Sequence, residues 1–291
     1  MKIYFIHSTE TPYVKDIISI FKVQGLVTHN AADADIIFCF QLDFLDLVLY
    51  LKEKFPKKKF ITFIFDAYSW ITTHPRGYEW DKYGQVCAIS DHCITVDLGQ
   101  KQRIQEHWGI DKDKISVTHC YSRNIEYNKD IFDANFVFCP LRRYEADPFV
   151  DWFKISCQEL QIPYKLSTKD HGNIGYDWES YLDILAQCSF LVSHYYEHGS
   201  GGMSCPEALQ LGKVTLFCDS PFNAGKEYLG DLGYYFQPNI TALKERLLEL
   251  WKARPTIDID RGREFFNSKF TKEIFFKSLY IKCKETVNEK N

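Results

Sequence analysis

The stretch that decides the reading is His198–Asp219, HGSGGMSCPEALQLGKVTLFCD. Just ahead of it, Phe190-Leu-Val-Ser193 is a short apolar run, the pattern of a buried parallel strand. Gly199, Gly201 and Gly202 follow, where a backbone without Cβ can take positive φ and approach a ligand closely. Ser204 can cap a helix, and Pro206 suits a first helical position, where no N–H is needed. Glu207, Ala208, Leu209 and Leu211 continue the helix, Gly212 ends it, and Val214–Cys218 reads as the next strand. A glycine turn running into a helix N-terminus gathers free amides and the positive end of the helix dipole at one place, which suits an anion. Glu207 falls in the first helical turn, at the same mouth. A carboxylate repels phosphate but accepts hydrogen bonds from neighbouring hydroxyls, so the pair of features points to a nucleoside diphosphate with its ribose.

The run from Glu197 through Glu207 to Asp219 resembles the C-terminal-domain signature of the GT-B glycosyltransferases, in particular the family-4-like group. That group has two glutamates flanking a glycine turn, an Ala-Leu helix closed by glycine, and an apolar strand. The resemblance implies two Rossmann-like α/β domains with parallel sheets facing across a cleft. It makes Glu207 the ribose-binding glutamate and Gly201-Gly202 the diphosphate turn, with Met203 and Ser204 beside it. Nine residues separate Glu197 from Glu207, more than the family's usual interval. The alternative for the stretch is an ordinary βα crossover whose glycines only turn the chain.

Working outward, the whole chain has 291 residues, 45% hydrophobic and 16% aromatic, enough for one large or two ordinary α/β domains. A net charge of −4 gives no global attraction to nucleic acid or to an anionic membrane. Ten cysteines stand singly, without a CxxC pair or a zinc-like spacing, so they read as reduced buried thiols of a cytoplasmic protein. No apolar run approaches the roughly 18 residues of a membrane span. Lys57-Lys58-Lys59 reads as a solvated loop.

From the N-terminus, strand and helix alternate, which implies parallel sheets. Ile3–Ile6, Val27–His29, Asp35–Phe40 and Lys59–Asp66 read as strands. The stretch after Pro12, with Val14, Ile17, Ile18 and Phe21, and Phe44–Phe55 read as helices. Cys87–Ser90 is expected to be a strand, Ile94–Trp108 a helix and Lys114–Val117 a strand. That order resembles the last βαβ unit of a GT-B N-terminal domain. Tyr121–Asp133, polar and charged, reads as a linker. Phe136–Leu141 then restarts the alternation, with Asp151–Leu160, Pro163–Ser167 and Asp177–Gln187 after it. The expected division is residues 1–125 for an acceptor-side domain and 126–271 for a nucleotide-sugar-binding domain. The last helix, 272–291, would pack back on the first domain, as the resemblance implies.

Arg142 and Arg143 follow the strand where the family carries a diphosphate-binding arginine. Glu197 and His198 flank the glycine turn, where a group orienting the sugar would stand. Asp66 is a candidate base if transfer inverts configuration, with His74 and His7 as alternatives. His194, His198 and Glu197 lack metal-like spacing, and Asp33-Ala-Asp35 reads as a polar loop rather than a metal-binding pair, so no metal is expected. The resemblance thus implies a glycosyltransferase, retaining and metal-independent. Its donor would be a nucleoside-diphosphate sugar such as a UDP-sugar, with no further cofactor, and its acceptor could be a glycan, lipid, protein, small molecule or modified DNA. The alternatives are a sugar-nucleotide epimerase on the same fold and a catalytically inactive sugar-nucleotide-binding module.

Overall fold

The computed structural model describes residues 1–7, 12–40, 44–64, 80–140, 149–166, 177–193, 204–219 and 225–288. The chain folds as two compact units, Met1–His119 with Lys272–Asn291, and Cys120–Thr271. Each is built on a parallel sheet covered by helices on both faces, an α/β architecture with two Rossmann-like units.

In the first unit, β1 (Ile3–Ile6), β2 (Ile36–Phe40), β3 (Lys59–Ile64), β4 (His92–Thr95) and β5 (Ile115–Val117) pair in that order. Val27 contributes one parallel bridge to Ile3, so the expected strand there is reduced to a single contact. The fully buried run IIFCF of β2 shows why no polar alternation was present: both faces are covered. Ile37 and Cys39 join Val48 and Leu51 of α2 (Leu45–Lys54) and Val86 of α3 (Trp80–Ile89). On the other face, rings meet in a chain. Phe5 lies 5.4 Å from Phe38 and 5.4 Å from Phe21 of α1 (Pro12–Val23). Phe63 lies 5.7 Å from Phe275 of α11 (Lys272–Asn288), and Phe21 lies 4.8 Å from Phe276. Lys272 adds an ion pair with Asp16, and Ser278 shares a hydroxyl hydrogen bond with Thr118. The C-terminal helix is therefore part of the first unit's core.

Two local expectations are corrected. Cys87–Ile89 closes α3 instead of forming a strand, and the strand lies just beyond, at His92–Thr95. The helix expected from Ile94 begins only at Leu98, as α4 (Leu98–Trp108), because the Asp97 side chain accepts from the Gln100 amide and caps it there. Gly109, at φ 65°, ends it in the left-handed conformation.

The second unit contains β6 (Val137–Cys139), β7 (Tyr164–Leu166), β8 (Phe190–Val192), β9 (Thr215–Cys218) and β10 (Gly233–Phe236), all parallel, in the order β10-β9-β8-β6-β7. Alternation along each strand divides the core. Val137, Cys139, Val192 and Leu216 face α5 (Phe149–Glu159) and α9 (Ile240–Ala253). Phe138, Leu191 and Phe217 face the opposite layer. That layer consists of α6 (Trp178–Gln187), α7 (Ser204–Gln210), α8 (Gly225–Leu229) and α10 (Ile259–Lys269). The stretch read as a linker belongs to this unit. Tyr121, Ser122 and Ile125 are buried, and Ile125 joins Phe136 and Phe138 in the core, so Cys120–Ile125 falls on this side of the division.

All ten cysteines are reduced thiols, nine of them buried and Cys120 half-buried. Among the described residues no helix is long and apolar enough to cross a membrane.

Candidate functional site

Strand order marks a candidate crevice in the second unit. β6 has β7 on one side and β8 on the other, so the chain reverses its direction of travel across the sheet at β6. At such a switch point the connections leaving the two strands diverge, and the carboxyl ends leave a crevice. The register pairs Phe138 with Leu191, bringing those carboxyl ends side by side. Residues 141–148, with Arg142 and Arg143, follow the end of β6. Residues 194–203, with Glu197, His198, Gly201, Gly202 and Met203, follow the end of β8. These seven lie outside the described residues, as does Asp66, just beyond β3 of the first unit. Ser204 and Glu207 are described.

Helix α7 begins at Ser204 in the described chain, so Pro206 sits in the first turn rather than at its first position. The position still costs nothing, because the first four amides of a helix have no intrahelical acceptor. Every residue from Cys205 to Gln210 is buried. Burial pushes the Cys205 thiol well above its ordinary range, which keeps it a neutral packing group. The chain then turns at Gly212, φ 66°, where Leu209 O and Ala208 O receive the next amides. A Cβ on Gly212 would stand 2.7 Å from the Ile257 carbonyl, so both the left-handed backbone and the close approach require glycine.

Glu207 is 3% exposed. Tyr181 of α6 donates its hydroxyl to Glu207 Oε2 at 2.7 Å, and Ser122 Oγ reaches Oε1 at 3.5 Å. One turn on, the Gln210 amide faces the same way. Its Oε1 accepts from the Ile125 amide at 2.8 Å and its Nε2 donates to Arg123 O at 2.9 Å. Glu207 and Gln210, three apart, therefore form one polar stripe along α7 against the segment Ser122–Ile125 and against α6. Helix α6 is fixed in turn by Asp177, whose carboxylate caps the Ser180 amide at 2.8 Å. That hydrogen bond holds the Asp177 carboxyl below its ordinary range.

Below α7 runs α10, which sequence periodicity did not single out. A Cβ at Gly262 would lie 2.2 Å from Leu209 O, so the backbones of the two helices touch there. Tyr181, Ser122, Gln210 and Gly262 were likewise not legible as site residues. Tyr181 reads simply as one apolar position of a helix, and nothing in a sequence marks a partner 85 residues away. Among the described residues no group of three His, Cys, Asp or Glu side chains is placed to hold a metal ion.

No protein-family model matches the sequence, and no curated protein matches it. Solved structures do match by fold. A glycosyltransferase from Rickettsia africae aligns over 98% of this chain and 84% of its own, with a TM-score of 0.63 at 14% identity. The sucrose-phosphate synthase of Thermosynechococcus elongatus aligns over 96% and 80%, with a TM-score of 0.66 at 11% identity. Anabaena Alr3699/HepE, solved in complex with UDP, aligns over 98% of this chain and 100% of its own, with a TM-score of 0.65 at 10% identity.

Proposed function

The chain has a GT-B glycosyltransferase-like fold, and from that premise we propose that it transfers a sugar from a nucleoside-diphosphate sugar to an acceptor hydroxyl or amine. The observation that carries this reading is the placement of Glu207. It stands in the first turn of α7, directly after the segment that leaves β8 at the switch point of the second sheet. In this reading the Glu207 carboxylate accepts from the ribose hydroxyls. The backbone amides of Gly201, Gly202, Met203 and Ser204 bind the diphosphate together with Arg142 or Arg143. Glu197 and His198 orient the sugar. UDP-sugars are the first donors to try, because the similar Anabaena protein binds UDP.

Transfer breaks the bond between the anomeric carbon and the diphosphate oxygen and forms one from that carbon to the acceptor. With retention, the proton lost by the acceptor passes to the leaving phosphate oxygen, and no protein base is required. With inversion, Asp66 is the candidate base. Amides and arginine hold the diphosphate, so the reaction is metal-independent in this reading: activity that disappears in EDTA and returns with Mg²⁺ or Mn²⁺ would refute the clamp.

The test of function is incubation of the full chain with radiolabelled UDP-glucose, UDP-N-acetylglucosamine and GDP-mannose, with products separated by chromatography. Slow release of free sugar supports a transferase awaiting its acceptor. A C2-epimer identifies an epimerase, and tight binding without turnover identifies an inactive binding module.

A further inference from the structure

Helix α6 carries a stack of rings that ends on Glu207. The Arg123 guanidinium lies over the Trp178 ring, 4.5 Å from its centre. Trp178 stacks on Tyr181 at 5.6 Å and 25°, and Tyr181 meets Phe138 of β6 at 5.9 Å and 59°. Trp178 thus packs against both the cation and the tyrosine and ties the two together. The Tyr181 ring, held by Trp178 and Phe138, has its hydroxyl fixed in space. That hydroxyl donates to Glu207 Oε2 at 2.7 Å, the distance of an ordinary hydroxyl hydrogen bond and the long end of the charge-assisted range.

A glutamate side chain has three rotatable bonds, and a carboxylate that must meet a diol has to be held in one orientation before the diol arrives. The helix backbone does not supply that. We propose that Tyr181, braced by Trp178 and Arg123, is a positioning residue for the nucleotide, presetting the Glu207 carboxylate for the ribose hydroxyls. The inference rests on the ribose-binding reading of Glu207. It adds that the specificity of the site for a ribose diol is set from α6, through a side chain that does not itself touch the nucleotide.

The experiment is a double-mutant cycle on binding, with UDP and its 2′,3′-dideoxy analogue as probes and calorimetric titration as the readout. Tyr181→Phe keeps the ring stack and removes the hydroxyl. It is expected to weaken UDP binding about three- to tenfold, as for loss of a hydrogen bond to a charged group whose effect is passed on. Binding of the dideoxy analogue should stay unchanged, so the preference for the diol shrinks by the same factor. Glu207→Gln should abolish that preference, and the double variant should bind UDP no worse than Glu207→Gln alone. Trp178→Phe, which loosens the brace but leaves both polar groups, should lose part of the preference, and it serves if Tyr181→Phe does not fold. If Glu207→Gln binds both probes as wild type does, the ribose reading fails and the inference falls with it. If Glu207→Gln loses the preference while Tyr181→Phe and Trp178→Phe keep it, only the positioning role is overturned. Additive losses in the double variant also overturn it.

Discussion

Replacing Gly262 by alanine sets two effects of opposite sign against each other. In an exposed helix interior the change stabilises by about 1 kcal/mol, because glycine loses more backbone freedom on folding. In α10 the added Cβ would stand 2.2 Å from Leu209 O and 3.1 Å from Leu209 C. Ordinary carbon–oxygen contact is about 3.3 Å or more, so the two helices must separate by about 1 Å. Neither can yield cheaply. The obstacle is backbone, not the end of a flexible side chain, and α7 is buried from Cys205 to Gln210. Overpacking costs about 1–3 kcal/mol, and an overlap of about 1 Å with backbone belongs to the upper part of that range, about 2–3 kcal/mol, against the gain of about 1 kcal/mol. The net expectation is a destabilisation of about 1–2 kcal/mol. For a domain of about 150 residues that lowers the melting temperature by roughly 2–8 °C in calorimetry. Since Leu209 lies between Glu207 and Gln210, UDP affinity should fall several-fold as well. A useful contrast is Gly84→Ala in α3, whose Cβ meets the Trp108 ring at 2.7 Å, a side chain instead of backbone. Melting of Gly262→Ala at or above the wild-type temperature would refute the close backbone contact of α7 and α10.

Two further outcomes follow from other parts of the molecule. His92 opens β4 with its Nε2 2.8 Å from Ser116 Oγ, and burial, with Lys282 and Lys101 nearby and Glu285 opposing them, lowers its pKa from 6.5 to about 4. The unfolded chain therefore takes up a proton below pH 6.5 that the folded chain refuses until about pH 4, and stability falls as pH falls through that window. Urea unfolding at pH 7 and pH 5 should show a loss of about 2 kcal/mol that His92→Gln removes; equal losses in both proteins would exclude His92 as the source. In the proposed diphosphate site, Arg142→Ala or Arg143→Ala should weaken UDP binding about ten- to hundredfold, the worth of a charge-assisted hydrogen bond, and unchanged affinity in both would assign the clamp to another cation.

Much of the architecture is legible in the chain because it depends on neighbours in sequence. The spacing of Val14, Ile17 and Phe21 makes a helix wherever it packs, and IIFCF and KFITFI make strands because only a two-sided core accepts such runs. The exchange of helix for strand at Cys87–Ile89 has the same kind of cause. A short apolar run fits the end of a helix as well as a strand, and the tie is broken by pairing, which His92–Thr95 takes with both β3 and β5. The fold resemblance was legible too, since Glu207, Gly212 and the strand after them stand close together in the chain.

What surrounds Glu207 was not. Its partners lie 26 and 85 residues away, on a helix and on a stretch without regular structure that reads as a polar linker. Sequence spacing registers which side chains share one face of one element. It does not register which faces of separate elements meet. That is decided by the order β10-β9-β8-β6-β7, which seats α6 and α7 side by side on one face of the sheet. It is decided also by Gly262, whose missing side chain lets α10 come up against α7 from below. A carboxylate buried to 3% exposure can remain there only among donors, and those donors come from elements that only the packed sheet brings together.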